Sequence, residues 1–218
     1  KDVLEELLRN GTFVHIRRSE SRYMAVHLRD TLQKSGYWGA FWVTPEPSLA
    51  ADLEVAAEIL HSDGDRLHID VRAVDAAGRV WLEKDYEMAT AAGAYNRQRY
   101  PDRDPYQDVF NSIANDLAEV QGDLTACEAE NLRTVAQLRF AGDISPEAYG
   151  DYLKADRGGE FTLNRLPAEG DPQFDRTLRV REREHLFIET LNEHYEEFYQ
   201  SADDSYNGWR EFAREEAI

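Results

Sequence analysis

From Leu53 onward the apolar residues fall at every second position: Leu53, Val55, Ala57 and Ile59, then Leu67, Ile69, Val71 and Ala73. Ser62-Asp63-Gly64-Asp65 separates the two runs, and Asp75-Ala76-Ala77-Gly78 follows the second, ahead of another extended run from Arg79 to Tyr86. A period of two sends alternate side chains to opposite faces of a strand, and Asp and Gly supply the short turns that bring it back. A helix cannot bury one face with that pattern. The segment therefore predicts three consecutive antiparallel strands at about 51–60, 66–75 and 79–88, one face dry and one wet.

The dry face needs a cover, and the flanking segments offer one. Upstream, Thr12-Phe13-Val14-His15-Ile16 is rich in β-formers. A helix opened by Ser19 or Ser21 and stopped at Gly36 follows it, carrying Met24, Ala25, Leu28 and Leu32 on one face. Tyr37 to Val43, closed by Pro45 and Pro47, reads as a strand returning along the first. Downstream, Asp104-Pro105 opens a helix whose Tyr106, Val109, Phe110, Ile113, Leu117 and Val120 form one stripe ending at Gly122. Residues 12–121 are thus expected to form a small mixed sheet in the order β-α-β-β-β-α.

The remainder reads as helical. Thr125 and Glu128 make a capping box for a helix to about Arg139, and Ser145-Pro146 starts another to about Ala155. Gly158, Gly159, Pro167, Gly170 and Pro172 mark a loop, and a long helix is expected from about Phe174 to Tyr199. A separate last helix would hold Tyr206, Trp209 and Phe212, with Trp209 beyond a break at Gly208. The fold class is α+β, with an α/β domain at 1–122 and a helical extension at 123–218.

Composition narrows the function. The net charge is −18, from 25 Lys and Arg against 43 Asp and Glu, which repels phosphate backbones and anionic membranes. Nucleic acid is not an expected partner. Cys127 is the single cysteine, so the chain can form neither an internal disulfide nor a cysteine metal cluster. No apolar run approaches the ~18 residues of a spanning helix. The opening Lys1-Asp2-Val3-Leu4-Glu5-Glu6-Leu7-Leu8 looks like the middle of a helix, and the expectation is a chain trimmed at its amino end, with any export signal or lipid anchor upstream.

Candidate chemistry is sparse. Glu182-Arg183-Glu184-His185 is a Glu-x-x-His of the kind used on helix faces in di-iron bundles, but a second copy is missing, and His194 lies about 13 Å along the helix from His185. No metal site is expected there. Cys127, third in a capped helix, sits where the helix dipole lowers a thiol pKa, and it also suits a small half-buried position. There is no Gly-x-Ser-x-Gly turn and no phosphate loop. No catalytic residue and no cofactor are assigned. Two surfaces suit binding. Arg97, Arg99 and Arg103 lie among Tyr95, Tyr100 and Tyr106, a basic and aromatic mixture that can hold anions, glycans or a peptide. Tyr206, Trp209 and Phe212 bring aromatic area of the kind enriched at protein interfaces.

The order of elements over 12–121, with Ser35-Gly36-Tyr37-Trp38 closing a helix and Asp75-Ala76-Ala77-Gly78-Arg79-Val80-Trp81 turning the meander, resembles the α/β domain shared by curli-secretion lipoproteins, penicillin-binding-protein activator lipoproteins and the TolB amino-terminal domain. The resemblance covers about half of the chain; residues 123–218 lie outside it. It implies a non-enzymatic protein-binding or scaffolding component of the bacterial envelope: periplasmic, an outer-membrane lipoprotein lacking its anchor, with other envelope proteins as partners. The alternative is an enzyme whose site is assembled from dispersed residues such as Cys127, Glu182 and His185.

Overall fold

A computed structural model of the protein describes residues 14–91, 93–100 and 103–217. Helix α1 (Val14–Ser35) leads through a long connection to strands β1 (Leu53–Ser62), β2 (Arg66–Asp75) and β3 (Val80–Ala89). Helices α2 (Gln107–Gly122), α3 (Ala126–Ile144) and the single turn α4 (Pro146–Tyr149) follow. A small hairpin of β4 (Leu153–Ala155) and β5 (Phe161–Leu163) precedes helix α5 (Pro172–Ala217).

The meander forms as expected. β2 is central, with Ile59 opposite Ile69 on one side and Tyr86 opposite Ile69 on the other, all antiparallel. The Asp63 carboxylate accepts from the Asp65 and Arg66 backbone N–H groups at 3.0 and 2.7 Å, which closes the first turn. Asp75 does the same for the second turn. Buried there, it takes the Arg79 backbone N–H (3.0 Å), the Arg79 guanidinium (2.8 Å) and the Trp81 indole N–H (2.8 Å). Leu67, Ile69, Val71 and Ala73 project from β2 into a core shared with Met24, Leu28 and Leu32 of α1 and Val109, Phe110, Ile113 and Leu117 of α2. Both helices cover one face. The other is wet, with Arg72 beside Glu83 and His68 beside Asp85.

The α+β class and the helical carboxyl-terminal part agree with the sequence reading, but several finer expectations do not. Val14 to Ile16, placed in a first strand, form the start of α1, and Thr12 and Phe13 lie outside the described residues. Residues 37–43 form no strand, so the described sheet is antiparallel rather than mixed. The groups a ladder would use are taken by side chains: Asn192 donates to the Val43 carbonyl (3.1 Å) and accepts its N–H (2.7 Å), and Gln33 donates to the Phe41 carbonyl (3.0 Å). The helix expected from Ser145 to Ala155 stops after one turn. Asp156 accepts from the backbone of Gly158 and Glu160 at 2.8 and 2.9 Å, turning the chain into the β4–β5 hairpin, with β4 where the end of that helix was expected and β5 where a loop was.

The two expected carboxyl-terminal helices are one. At 46 residues α5 extends about 69 Å and passes through Gly208 without a break. It lies against α1 and α3. Arg181 donates to the Ala50 carbonyl (2.5 Å) and Asp52 (2.9 Å), Arg29 reaches Glu196 (2.5 Å), and the far end is held by the buried pair Arg210–Asp104 (2.6 Å).

Candidate binding groove along the edge strand

β1 is an edge strand, paired with β2 alone among the described residues. On β2 the inward residues are sealed, each at most 2% exposed. The inward row on β1 is not: Leu53, Val55 and Ile59 are half-buried and Ala57 is exposed. Neither α1 nor α2 reaches far enough to close over β1. What remains is an open cavity of about 1690 Å³ with β1 as its floor, Met24, Ala25 and Leu28 of α1 on one side and Trp38, Phe41 and Trp42 of the connection beside them.

The aromatic wall is organised. Trp38 meets Phe41 edge-on at 5.4 Å and tilts towards Trp81 at 6.2 Å, while Trp42 lies 5.0 Å from the His185 ring. Arg181, His185 and Ile188 of α5 close one end of the groove, and Trp209 and Ala213 line it elsewhere. The Trp38 indole N–H and Arg181 Nε are buried without a hydrogen-bond partner among the described residues. His185 Nε2 lies 3.3 Å from the Ala50 carbonyl. The lining is mixed, an apolar and aromatic floor and wall bordered by charged groups that include Glu54, Glu58, Arg29 and Arg181, a composition suited to holding a peptide.

A second polar cluster lies behind α5. Glu20, fully buried, accepts from Ser62 (2.6 Å), Tyr206 (2.6 Å) and Arg17 (2.7 Å). Burial pushes the Asp104 carboxyl up, but the Arg210 charge, together with the hydrogen bonds from Arg210 and from the Tyr106 backbone N–H, holds the group below the ordinary carboxylate range. The Arg210 guanidinium is ringed by Tyr206, Tyr106 and Tyr23, with ring centres 4.4, 5.1 and 5.6 Å away, and it bonds Asn207. Each of the cluster's acids, Glu20 and Asp104, has its counter-charge or donors within the protein. The cluster is a fastener between helices.

The residues singled out from sequence separate accordingly. Tyr206 is buried in the fastener; Trp209 is half-buried, stacked 6.0 Å from Tyr206, and lines the groove; Phe212 is 58% exposed. Arg97 pairs with Asp203 (2.9 Å) and Arg103 with Asp108 (2.6 Å), while Arg99 lies over the Tyr100 ring (5.4 Å). Arg97 and Arg103 share a small cavity of about 250 Å³ with Asp204 and Glu211, so the acids they face come from the protein itself. Cys127 is exposed, its Sγ accepting from the Asn131 amide at 3.7 Å, and it does not line the groove. Glu182 is exposed, and His194 pairs with Glu197 at 3.6 Å. Among the described residues no three His, Cys, Asp or Glu side chains converge as a metal site, and no helix is long and apolar enough to cross a membrane.

No protein-family model, curated protein or solved structure matches this chain.

The groove was not identified from sequence. Leu53, Val55, Ala57 and Ile59 looked like any core row, because alternation reports which face is apolar but not whether anything covers it. Trp38 and Trp42 were absorbed into an expected strand. His185 stands out in the sequence only as a metal ligand or a dispersed catalytic group, whereas its position beside Trp42 is what places it at the groove.

Proposed function

We propose that the protein is a non-enzymatic binding component of the bacterial envelope and that the groove along β1 is its working surface. The observation that supports this reading is the half-covered inward row of β1, beside a β2 row that is sealed: an apolar face of this kind, lined by five aromatic residues of the connection and β3, is what a partner covers. The envelope setting and the class of partner rest on the resemblance to the curli-secretion, penicillin-binding-protein activator and TolB domains, now carried by the meander with its Asp75 to Trp81 turn and the two helices over it, since Val14 to Ile16 and residues 37–43 form no strand.

The test is a photo-crosslinking side chain placed at Ala57 in the groove and, as a control, at exposed Thr162 on β5, in protein exported to the envelope of a Gram-negative host. Polypeptide adducts from Ala57 and none from Thr162 are expected. Equal yields from both positions, or no polypeptide adduct from Ala57, would reject the groove as the working surface.

A further inference from the structure

β1 itself offers a partner a way to enter the groove. An antiparallel strand directs every second pair of backbone N–H and C=O groups away from its neighbour, and on β1 these face the groove side with no strand beside them among the described residues. The same edge borders both chemistries a new strand would meet. Leu53, Val55, Ala57 and Ile59 project to the apolar side. Glu54 and Glu58 project to the wet side and are exposed, with Asp70 and Asp85 continuing the row from Glu58 across β2 and β3.

We propose that the partner binds by adding a β-strand to the edge of β1, and that this strand alternates apolar with basic residues. This rests on the groove being the working surface. The apolar residues would fill the space beside Val55 and Ala57 under Trp38 and Phe41, and the basic ones would stand beside Glu54 and Glu58, where opposite charges on neighbouring strands attract and like charges repel. Charge selects among the occupants. A second copy paired through its own β1 would set Glu54 and Glu58 against Glu58 and Glu54, an unfavourable arrangement. The Tyr37 to Val43 segment of the same chain has no basic residue to offer and is already tied to Asn192 and Gln33. A net charge of −18 also draws a basic strand in from solution.

The experiment titrates the full chain with a capped synthetic peptide of about nine residues, long enough to span β1, that alternates valine or isoleucine with lysine. Two further peptides serve as comparisons: one with glutamate in place of lysine and one with the same composition in two blocks. Groove tryptophan fluorescence reports binding, and amide hydrogen exchange reports the backbone. The alternating lysine peptide should bind tightest, slow exchange at every second β1 amide, and weaken about fivefold on Glu54→Lys with Glu58→Lys. The glutamate peptide should gain a similar factor on that variant. Both positions are exposed, so the fold survives the change, and circular dichroism checks it. Fluorescence changes without protection along β1, or equal binding of all three peptides, would overturn strand addition while leaving the groove as a binding surface. Outward-facing β1 amides, those not bonded to β2, already slow in the free protein would mean that the chain, or a second copy, covers its own edge, which also overturns the proposal. Failure of the Ala57 crosslinking test, by contrast, removes the groove itself.

Discussion

Gly64 shows how much one residue can carry. Its φ of +87° lies in the left-handed region that only glycine enters freely, and a Cβ there would stand 2.0 Å from the Arg210 carbonyl oxygen of α5. The turn is pinned as well: Gly64 N–H donates to the Tyr106 hydroxyl (2.9 Å) and its carbonyl accepts from Tyr95 (2.5 Å). Gly64→Ala must therefore move backbone as well as strain φ, and it should cost more than about 2 kcal/mol in urea unfolding. Gly93, at φ +79° but with nothing within 4 Å, provides the comparison, and Gly93→Ala should cost only about 1 kcal/mol. Equal losses at the two sites would show that α5 does not press on the β1–β2 turn. Arg210 is the counterpart on the helix. Arg210→Met leaves Asp104 charged and buried, at a cost of about 3–5 kcal/mol, and adding Asp104→Leu should recover much of it because the stranded charge is gone. A double variant no more stable than Arg210→Met alone would mean that the pair is not the fastener.

At the scale of elements, legibility followed the locality of the signal. The meander was read from alternation and from Asp-Gly turns, all within thirty-odd residues, and both turn aspartates hold the bonds expected of them. The α2 stripe and the Thr125–Glu128 capping box were readable for the same reason. Tyr37 to Val43 was not, because what keeps it from pairing is Asn192, 149 residues away in sequence. Gly208 misled in the opposite way. Glycine is a weak helix former, but Asn207 and Arg210 on either side are locked into the buried cluster, and that packing carries the helix through. A consequence can be measured. Gly208 is exposed and a Cβ there would meet nothing within 4 Å, so Gly208→Ala should stabilise the protein by about 0.5–1 kcal/mol and raise Tm. A lowered Tm would mean that α5 is broken at this point. The site divides along the same line: the residues of the groove were all visible, but its openness depends on how far α1, α2 and α5 reach over β1, which no local pattern reports.

For the whole molecule, charge and burial set the range of pH in which the fold is stable. Asp63, Asp104 and Asp116 are each favoured by burial to stay neutral, yet are held below the ordinary carboxylate range by their partners: the Arg66 backbone N–H, the Arg210 charge and the Lys84 ammonium. A carboxyl depressed in the folded state contributes stability that is complete above its unfolded pKa of about 3.9 and is lost as pH falls through the folded value. The tyrosines behave in the opposite sense. Burial pushes Tyr106 and Tyr199 up to about 12 from 10.0, and Tyr206 is also raised well above that ordinary value. A tyrosine raised in this way contributes fully below pH 10, where both states are neutral, and the contribution is lost as pH climbs from 10 towards 12 because the unfolded chain ionises first. Between these limits the dominant electrostatic term is self-repulsion from a net charge of −18, which salt screens over about 10 Å at 0.1 M. Urea unfolding should therefore give nearly level stability from about pH 5 to 9, with steep loss below 4 and above 10, and added salt should raise the midpoint across the level range. If stability instead fell between pH 7 and 9, a group outside the tyrosine cluster would control the fold. If salt lowered the midpoint throughout, the ion pairs that tie α5 to the sheet layer would outweigh the repulsion, and Arg29–Glu196, Arg181–Asp52 and Arg210–Asp104 would be the ones to remove in turn.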